Sequence, residues 1–128
     1  MEIIINSSGG AGIDKRLIRK LARKISRRKW IVSLSFVSKE RIKKLNRKYR
    51  RKNKPTDVLS FSMREGYLLG DVVICSKVAR SNAKKFGSSL KAEIARLFIH
   101  GTLHLLGMDH GKKMFELQDK IMRSEGYA

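Results

Sequence analysis

The sequence predicts an α+β fold, in which a four-stranded mixed sheet with three parallel strands and one antiparallel strand is packed against about five helices. Two observations carry this prediction. In the first half of the chain, short β-branched or aromatic runs alternate with segments whose apolar residues recur at helical spacing. In the second half only the helical spacing remains. The length of 128 residues, with 41% hydrophobic and 32% charged residues, predicts one globular domain over residues 1–128.

The first two strands are predicted at residues 2–7 and 30–37, which are short and rich in β-branched or aromatic side chains. Between them we expect a basic amphipathic helix that begins after an N-cap at Asp14 and ends at about Arg28. Its apolar stripe consists of Ile13, Leu17, Ile18, Leu21, Ala22 and Ile25. Because a strand, a helix and a second strand form a crossover unit, these two strands should be parallel.

The next two strands are predicted at residues 57–63 and 68–75. They should be antiparallel, because the turn-like residues 64–66 are too short a connection for a parallel return. A second helix over residues 39–50 precedes them, and its inward side chains are predicted to be Ile42, Leu45 and Tyr49. Residues 51–55 (RKNKP) should end this helix, because proline disfavours the helical conformation of the residue before it.

Three further helices are predicted in the second half of the chain. One covers residues 76–86 and ends at Gly87, and Ser89 is the N-cap of the next. That next helix, residues 90–107 with Gly107 as its stop, is apolar almost all round, as expected for a helix buried in the middle of a domain. The last helix is amphipathic, with these side chains inward: Met114, Leu117, Ile121 and Met122.

The charge balance points to a polyanionic partner. The net charge is +19, from 30 Lys and Arg residues against 11 Asp and Glu residues. Nine of the basic residues lie between positions 15 and 29 and ten between positions 39 and 54. A field of this sign favours binding of nucleic acid. The alternative is a basic surface that only keeps the protein in solution, and any single lysine here is best explained as part of a solvated helix face.

The sequence also predicts a compartment. No apolar run approaches the roughly 20 residues of a membrane span, and residues 1–10 lack the basic start and small-residue cleavage site of a signal peptide. We therefore expect a soluble, cytoplasmic protein with no membrane partner. The single cysteine, Cys75, cannot form an internal disulfide, which is consistent with a reducing compartment.

Three histidines predict a metal site. His100, His104 and His110 are the only histidines and fall within the string HGTLHLLGMDH. Residues four apart on a helix lie on one face, and a turn at Gly107 allows the third histidine to return to the same point. Three imidazole nitrogens suit Zn²⁺, and three protein ligands leave a fourth position for water, although the spacing does not separate Zn²⁺ from Co²⁺ or Ni²⁺. The alternatives are ordinary hydrogen-bonded histidines and a closed site completed by Cys75.

The spacing of these histidines is that of the HExxHxxGxxH proteases, and it predicts a zincin-like metal helix. In those proteases a glutamate after the first histidine is the general base, and here that position is Gly101. The pattern therefore favours a metal hydrolase and argues against a peptidase. Because glycine costs about 1 kcal/mol inside a helix, Gly101 also suggests that another group approaches the backbone closely there.

Three segments carry a family resemblance. HGTLHLLGMDH, LNRKYRRKNKPTDVLSFSM (residues 45–63) and LGDVVIC (residues 69–75) resemble the motifs of the YbeY family of bacterial metal-dependent endoribonucleases. The resemblance implies a zinc ion held by His100, His104 and His110, and it assigns the family's functionally important arginine to Arg50. The sequence departs from the family at Met108, where tyrosine is common, and in GKKM, which shortens an acidic stretch.

The resemblance also implies a substrate and partners. The substrate would be single-stranded RNA, above all the 3′ end of small-subunit ribosomal RNA, and the family is linked to ribosome quality control. Ribosomal proteins and an assembly GTPase are the protein partners that it implies. These implications fit the basic composition of the chain, which alone indicates only nucleic-acid binding.

A hydrolytic mechanism follows as a hypothesis. The metal would activate water or polarise a phosphoryl oxygen, and Arg50 would stabilise the charge that develops on phosphorus. Asp57 and Asp109 are candidate proton acceptors, with Asp109 better suited to orienting a histidine, while Glu93 should lie too far along its helix. Two other hypotheses are an RNA-binding ribosome-assembly factor with a structural metal and a zinc hydrolase of small molecules or peptides, which would not explain the charge.

Overall fold

The computed structural model of the protein describes residues 1–6 and 12–127. In chain order its elements are β1 (Glu2–Asn6), α1 (Lys15–Ile25), β2 (Ile31–Phe36), α2 (Lys39–Arg50), β3 (Val58–Glu65), β4 (Leu68–Ile74), α3 (Ser76–Phe86), α4 (Leu90–Leu105) and α5 (Lys112–Ser124). None of the helices in this described part of the chain has the length and hydropathy that crossing a membrane requires.

The four strands form one sheet in the order β1-β2-β4-β3. β1 pairs with β2, and β2 with β4, in parallel, whereas β3 pairs with β4 in antiparallel orientation. A two-residue turn, Gly66 and Tyr67, joins β3 to β4, so the chain has no length for a crossover there. The predicted fold class, a mixed sheet of three parallel strands and one antiparallel strand with five helices, is confirmed.

Several helix ends differ from the prediction in an instructive way. Asp14 is the N-cap of α1, as predicted, and its carboxylate accepts a hydrogen bond from the amide of Leu17. α1 nevertheless ends at Ile25 and not near Arg28, because Ser26 takes up an extended conformation. Cys75 does not belong to β4 but occupies the N-cap position of α3. Position 7, at the predicted end of the first strand, lies outside the described residues.

The helix α2 has the predicted bounds, but Tyr49 does not face inward. Ile42 is buried and Leu45 half-buried, whereas 55% of Tyr49 is exposed. At this end of α2 the neighbouring element is the edge strand β3, and it meets only one side of the ring, through Phe61. The helix ends because Arg51 adopts a left-handed conformation, with φ of 57°, and not at the residue before the proline.

The sheet has a hydrophobic cluster on each face. The larger cluster lies under α1, α4 and α5, and the smaller one consists of Ile42, Leu59, Val73 and Cys75, which places α2 on the opposite face. α4 packs on β3 and β4 and against the three helices α1, α3 and α5, and most of its residues are buried. This central position explains why its sequence is apolar almost all round.

Gly101 is a point of close contact between α4 and the sheet. A Cβ atom at this position would lie 2.9 Å from the Oγ of Ser60 and 2.9 Å from a methyl group of Val72. The Ser60 hydroxyl donates a hydrogen bond of 2.9 Å to the carbonyl oxygen of Gly101. The close approach expected from this glycine is therefore confirmed, and the group that approaches is the sheet. The contact brings β3 next to the turn of α4 that carries His100 and His104.

Candidate metal centre and catalytic cleft

The three histidine rings converge on one point. The Nε2 atoms of His100 and His110 are 3.1 Å apart, those of His104 and His100 are 3.2 Å apart, and those of His104 and His110 are 3.4 Å apart. His100 and His104 lie one turn apart on α4, as their spacing predicts. Among the described residues, these three side chains are the one group of His, Cys, Asp or Glu whose ligand atoms could share a metal ion.

The turn after α4 brings the chain back to the point where the three Nε2 atoms converge. Gly107 has a φ of +92°, which favours glycine, and its amide donates to the carbonyl oxygen of His104. Arg64, the basic residue that stands apart from the runs in the sequence, donates from its guanidinium to the carbonyl oxygen of Leu105 at 3.0 Å. It satisfies one of the carbonyl groups that a helix end leaves without a partner. The end of α4 is thus fixed on the side from which His110 approaches.

Hydrogen bonds at the other ring nitrogens set the tautomers. The Nδ1–H of His100 donates to Oε1 of Gln118 at 3.0 Å, and the Nδ1–H of His104 donates to the carbonyl oxygen of Met108 at 2.9 Å. Because both partners are oxygen acceptors, the proton of each neutral ring lies on Nδ1. Each Nε2 then presents a lone pair to the shared point. Such an arrangement orients a metal-binding histidine and fixes its tautomer.

The histidines on α4 are held in the neutral form that a metal requires. Burial lowers the pKa of His100 below its ordinary value, and the hydrogen bond to Gln118 opposes this only in part. Burial also lowers the pKa of His104, the nearby charge of Arg50 acts in the same direction, and the hydrogen bond to the Met108 carbonyl opposes this only in part. Neutral imidazole is the ligand form for a divalent cation.

The donor set fits a tetrahedral metal ion. With metal–nitrogen distances of about 2.0 to 2.1 Å, three tetrahedral ligand atoms lie about 3.3 to 3.4 Å apart. The three Nε2 atoms are 3.1 to 3.4 Å apart, close to this requirement. Cys75 is not a fourth ligand, because it is fully buried in the smaller hydrophobic cluster, so the closed site considered from the sequence is excluded. The group is an open three-nitrogen site.

A cleft of about 750 Å³ opens onto the histidines. The residues that line it are Tyr49, Arg50, Thr56, Asp57, Val58, Leu59, Ser60, Phe61, Ser62, His100, His104 and His110. One wall is the edge strand β3, another is the end of α2, and the floor is the His100 and His104 face of α4. The cleft therefore brings the three histidines together with Arg50, the arginine that the family resemblance assigned.

The acidic candidates are distributed differently. Asp57 lines the cleft, and its carboxylate accepts hydrogen bonds from the side chains of Asn82 at 3.2 Å and Thr56 at 3.4 Å. Asp109 is exposed and makes no hydrogen bond to a described histidine, so the orienting role expected of it is filled by Gln118 and by the Met108 carbonyl. Glu93 is buried and forms a two-point ion pair with Arg96, outside the cleft.

Sequence patterns did not identify Gln118, or the aromatic side chains near the histidines, as parts of the site. Gln118 is a buried polar residue one helical turn from Met114 and Ile121 on the inward face of α5, and a polar side chain on such a face was the available signal. Tyr49 and Phe61 form an edge-on aromatic pair, and Phe115 lies 6.0 Å from His100 by ring centroids. No pattern in the sequence brings these rings next to the histidines.

Replacing Gln118 by methionine should weaken metal binding about 10- to 100-fold while the protein stays folded, because the volume is kept and only the acceptor for the His100 Nδ1–H is lost. The dissociation constant can be measured by competition with a chromogenic chelator. Gln118→Glu, which retains an acceptor oxygen, should bind metal more tightly than Gln118→Met. Equal affinity of wild type and Gln118→Met would mean that this hydrogen bond does not tune the site.

Comparison with known proteins shows which proteins the chain resembles over most of its length. The sequence model described as endoribonuclease YbeY matches residues 5–126. Curated relatives named endoribonuclease YbeY include proteins from Sulfurihydrogenibium sp., Heliobacterium modesticaldum and Staphylococcus saprophyticus, with 48%, 39% and 40% identity over 101, 115 and 110 residues. The matches cover 70%, 74% and 74% of this chain, and 66%, 69% and 72% of the respective relative. The chain thus spans roughly two thirds of the length of these relatives.

The fold is also found in a solved structure, the solution structure of TM1509 from Thermotoga maritima. It superposes with a TM-score of 0.66 at 33% sequence identity. The match covers 94% of this chain and 86% of that chain. The similarity therefore includes nearly all of the elements described above.

Proposed function

The chain belongs to the endoribonuclease YbeY family, and on this premise we propose that it is a metal-dependent endoribonuclease that acts in ribosomal RNA processing. One observation carries the proposal: three imidazole rings converge on one point in an open cleft that also contains Arg50. The net charge of +19 supports an RNA substrate, since phosphate contacts by Lys and Arg dominate the affinity for nucleic acids.

Zn²⁺ is the metal we propose for the site. The ligand atoms are three imidazole nitrogens with tetrahedral spacing, a donor set that Zn²⁺ shares with Co²⁺ and Ni²⁺. His100, His104 and His110 would each hold the ion through Nε2. When bound, a divalent ion of this kind supplies Lewis-acid activation of a water molecule or of a phosphoryl oxygen.

The residues of the chain would bind and orient the scissile phosphate. Arg50 offers a planar fork of donors that can grip two phosphate oxygens and stabilise negative charge as it develops on them. The hydroxyl groups of Thr56, Ser60 and Ser62 line the same cleft and can donate to phosphate or ribose oxygens. Asp57, the carboxylate that lines the cleft, is the proton acceptor that we propose in place of Asp109.

The finer parts of the proposal derive from the family resemblance of the motifs. We propose single-stranded RNA as the substrate, with the 3′ end of small-subunit ribosomal RNA as the principal site and a link to ribosome quality control. Ribosomal proteins and an assembly GTPase are the proposed protein partners, the cytoplasm is the proposed compartment, and residues 1–128 form the proposed catalytic domain. The basic segments α1 and α2 support an RNA-bound setting.

Arg50→Ala should lower kcat/KM for cleavage of a single-stranded RNA oligonucleotide about 100-fold, because one donor to the developing phosphate charge is lost. The matched control is Arg47→Ala, which removes the same charge from an exposed position of α2 outside the cleft and should reduce kcat/KM no more than about threefold. Initial rates with an end-labelled oligonucleotide of small-subunit 3′ sequence provide the measurement. Equal losses in both variants would reduce Arg50 to an ordinary backbone contact.

The main alternative is an RNA-binding ribosome-assembly factor with a structural metal. Such a protein would retain RNA binding and metal content but would not turn over substrate under any metal condition. Absence of cleavage by metal-loaded wild type, with RNA binding intact, would therefore overturn the enzyme proposal in favour of this alternative.

A further inference from the structure

Tyr49 is an exposed aromatic side chain at the wall of the cleft. The residue is 55% exposed, and its ring packs edge-on against Phe61, with ring centroids 5.0 Å apart and an interplanar angle of 66°. Both rings line the cleft that holds the histidines, and Arg50 follows Tyr49 directly in the chain. Exposing an aromatic ring to water costs free energy that burial of the same ring avoids. Tyr49 is exposed in this way on a concave, basic surface.

We propose that Tyr49, supported by Phe61, is the stacking platform for one unpaired base of the RNA substrate. This inference rests on the proposed function, because it names how the same cleft recognises single-stranded RNA. Unpaired bases commonly stack on exposed aromatic side chains while basic residues contact the adjacent phosphates. Tyr49 and Arg50 supply these two elements side by side on the last turn of α2.

The position of Tyr49 separates it from other exposed rings. Phe86 is 68% exposed and Tyr67 is 64% exposed, but neither lines the cleft, and isolated exposed apolar residues are common on protein surfaces. Tyr49 differs because Phe61 holds its ring from β3, the strand that also forms the cleft wall. A ring that is fixed before binding loses little conformational entropy when a base stacks on it.

Lys48 makes a cation–π contact with the exposed ring of Tyr49. Its ammonium nitrogen lies 5.1 Å from the centroid of the Tyr49 ring. Both side chains are exposed, and an exposed contact of a cation with an aromatic face is weak, so an incoming base can displace it. The displaced ammonium group remains beside the cleft, where it can contact a phosphate of the bound strand.

The platform would select single strands without selecting sequence. Every base has a face that can stack, so the contribution of Tyr49 should be similar for all four bases. Bases inside a duplex are already stacked and paired, and they cannot reach the ring. The inferred contact therefore contributes to discrimination between single-stranded and duplex RNA.

The test is RNA binding measured by fluorescence anisotropy on the full chain with a chelator present, so that cleavage does not interfere. Tyr49→Ala should bind a single-stranded oligonucleotide about tenfold more weakly than wild type, whereas Tyr49→Phe and Tyr49→Trp should bind within about threefold of wild type. Phe86→Ala is the matched control, because it removes an exposed ring with a lysine 5.8 Å above it outside the cleft, and it should bind like wild type. Duplex RNA should bind equally to all of these proteins.

Oligonucleotides with one abasic position at a time give a readout that a merely structural role would not affect. In wild type, one abasic position should weaken binding about tenfold, and in Tyr49→Ala the same position should have no further effect. Unchanged binding by Tyr49→Ala, or an equal loss for single-stranded, abasic and duplex RNA, would overturn the inference. Binding is measured without turnover, so the two proposals can fail separately. If RNA binding depends on Tyr49 but the metal-loaded protein does not cleave RNA, only the proposed enzymatic function is overturned. If the protein cleaves RNA but its RNA binding does not depend on Tyr49, only the stacking platform is overturned.

Discussion

His104→Ala should remove RNA cleavage, with a loss in kcat/KM of at least about 1,000-fold, and should remove tight metal binding at the same time. The reason is geometric: Nε2 of His104 lies 3.2 Å and 3.4 Å from the other two ligand atoms, so its loss leaves two nitrogens that no longer surround the shared point. The metal content of the purified variant and its cleavage rate on the same single-stranded oligonucleotide are the two measurements. Both values should fall together.

Folding of this variant can be separated from its loss of metal. Without metal, the unfolding free energy of His104→Ala should lie within about 1 kcal/mol of the wild-type value. The reason is that the half-buried imidazole makes one hydrogen bond to the backbone, to the Met108 carbonyl. Added metal should raise the melting temperature of wild type but not that of the variant, since only binding to the folded state stabilises it. If the variant, purified in parallel, cleaves RNA as fast as wild type, the activity belongs to a contaminant and the enzyme proposal fails.

Gly70→Ala should destabilise the fold by about 3 kcal/mol or more, the largest stability effect that we expect from a single methyl group in this chain. Gly70 lies in β4 opposite Ser62 and has a φ of +157°. A Cβ atom there would be 2.2 Å from the carbonyl oxygen of Phe61 and 2.8 Å from a methyl group of Leu105. The first of these contacts is with backbone, so relief requires β3 to move away from β4. The midpoint of equilibrium unfolding in urea measures the effect.

The control for Gly70 lies in the same hairpin. Gly66, in the turn between β3 and β4, has a φ of +59°, and a Cβ atom added there would point into open space, with no described neighbour within 4 Å. Asparagine tolerates this left-handed conformation, so Gly66→Asn should change the unfolding free energy by no more than about 0.5 kcal/mol. A Gly70→Ala protein with the urea midpoint of wild type would show that the strands are not in such close contact.

Features of the fold could be predicted where the residues that determine them are close together in the sequence. The bounds of α2 and α3 were predicted because their start and stop residues lie next to the helical pattern itself. The parallel and antiparallel pairings followed from the lengths of the connections. The inward placement of Tyr49 was wrong because helical spacing identifies a face but not how far the neighbouring sheet covers it.

The candidate site was predictable to the same extent. Two of the three proposed ligands are four residues apart on one helix, so their spacing alone places them on a common face. Gln118, which orients His100, is 18 residues away in the sequence and belongs to another helix. Arg50 carried no signal of its own within a run of basic residues. It was assigned by family resemblance, and the structure then places it in the cleft with the histidines.

Local sequence therefore determined the elements, their connections and the identity of the three proposed metal ligands, because helical spacing, caps and connection length act over a few neighbouring residues. Tertiary structure decided the tautomers of the histidines, the exclusion of Cys75, the shape of the cleft and the exposure of Tyr49. These properties depend on packing between β3, α2, α4 and α5, whose contacts join residues that are far apart in the sequence, such as Ser60 and Gly101, which are separated by 41 positions. Periodicity along the chain carries no information about distances of that kind.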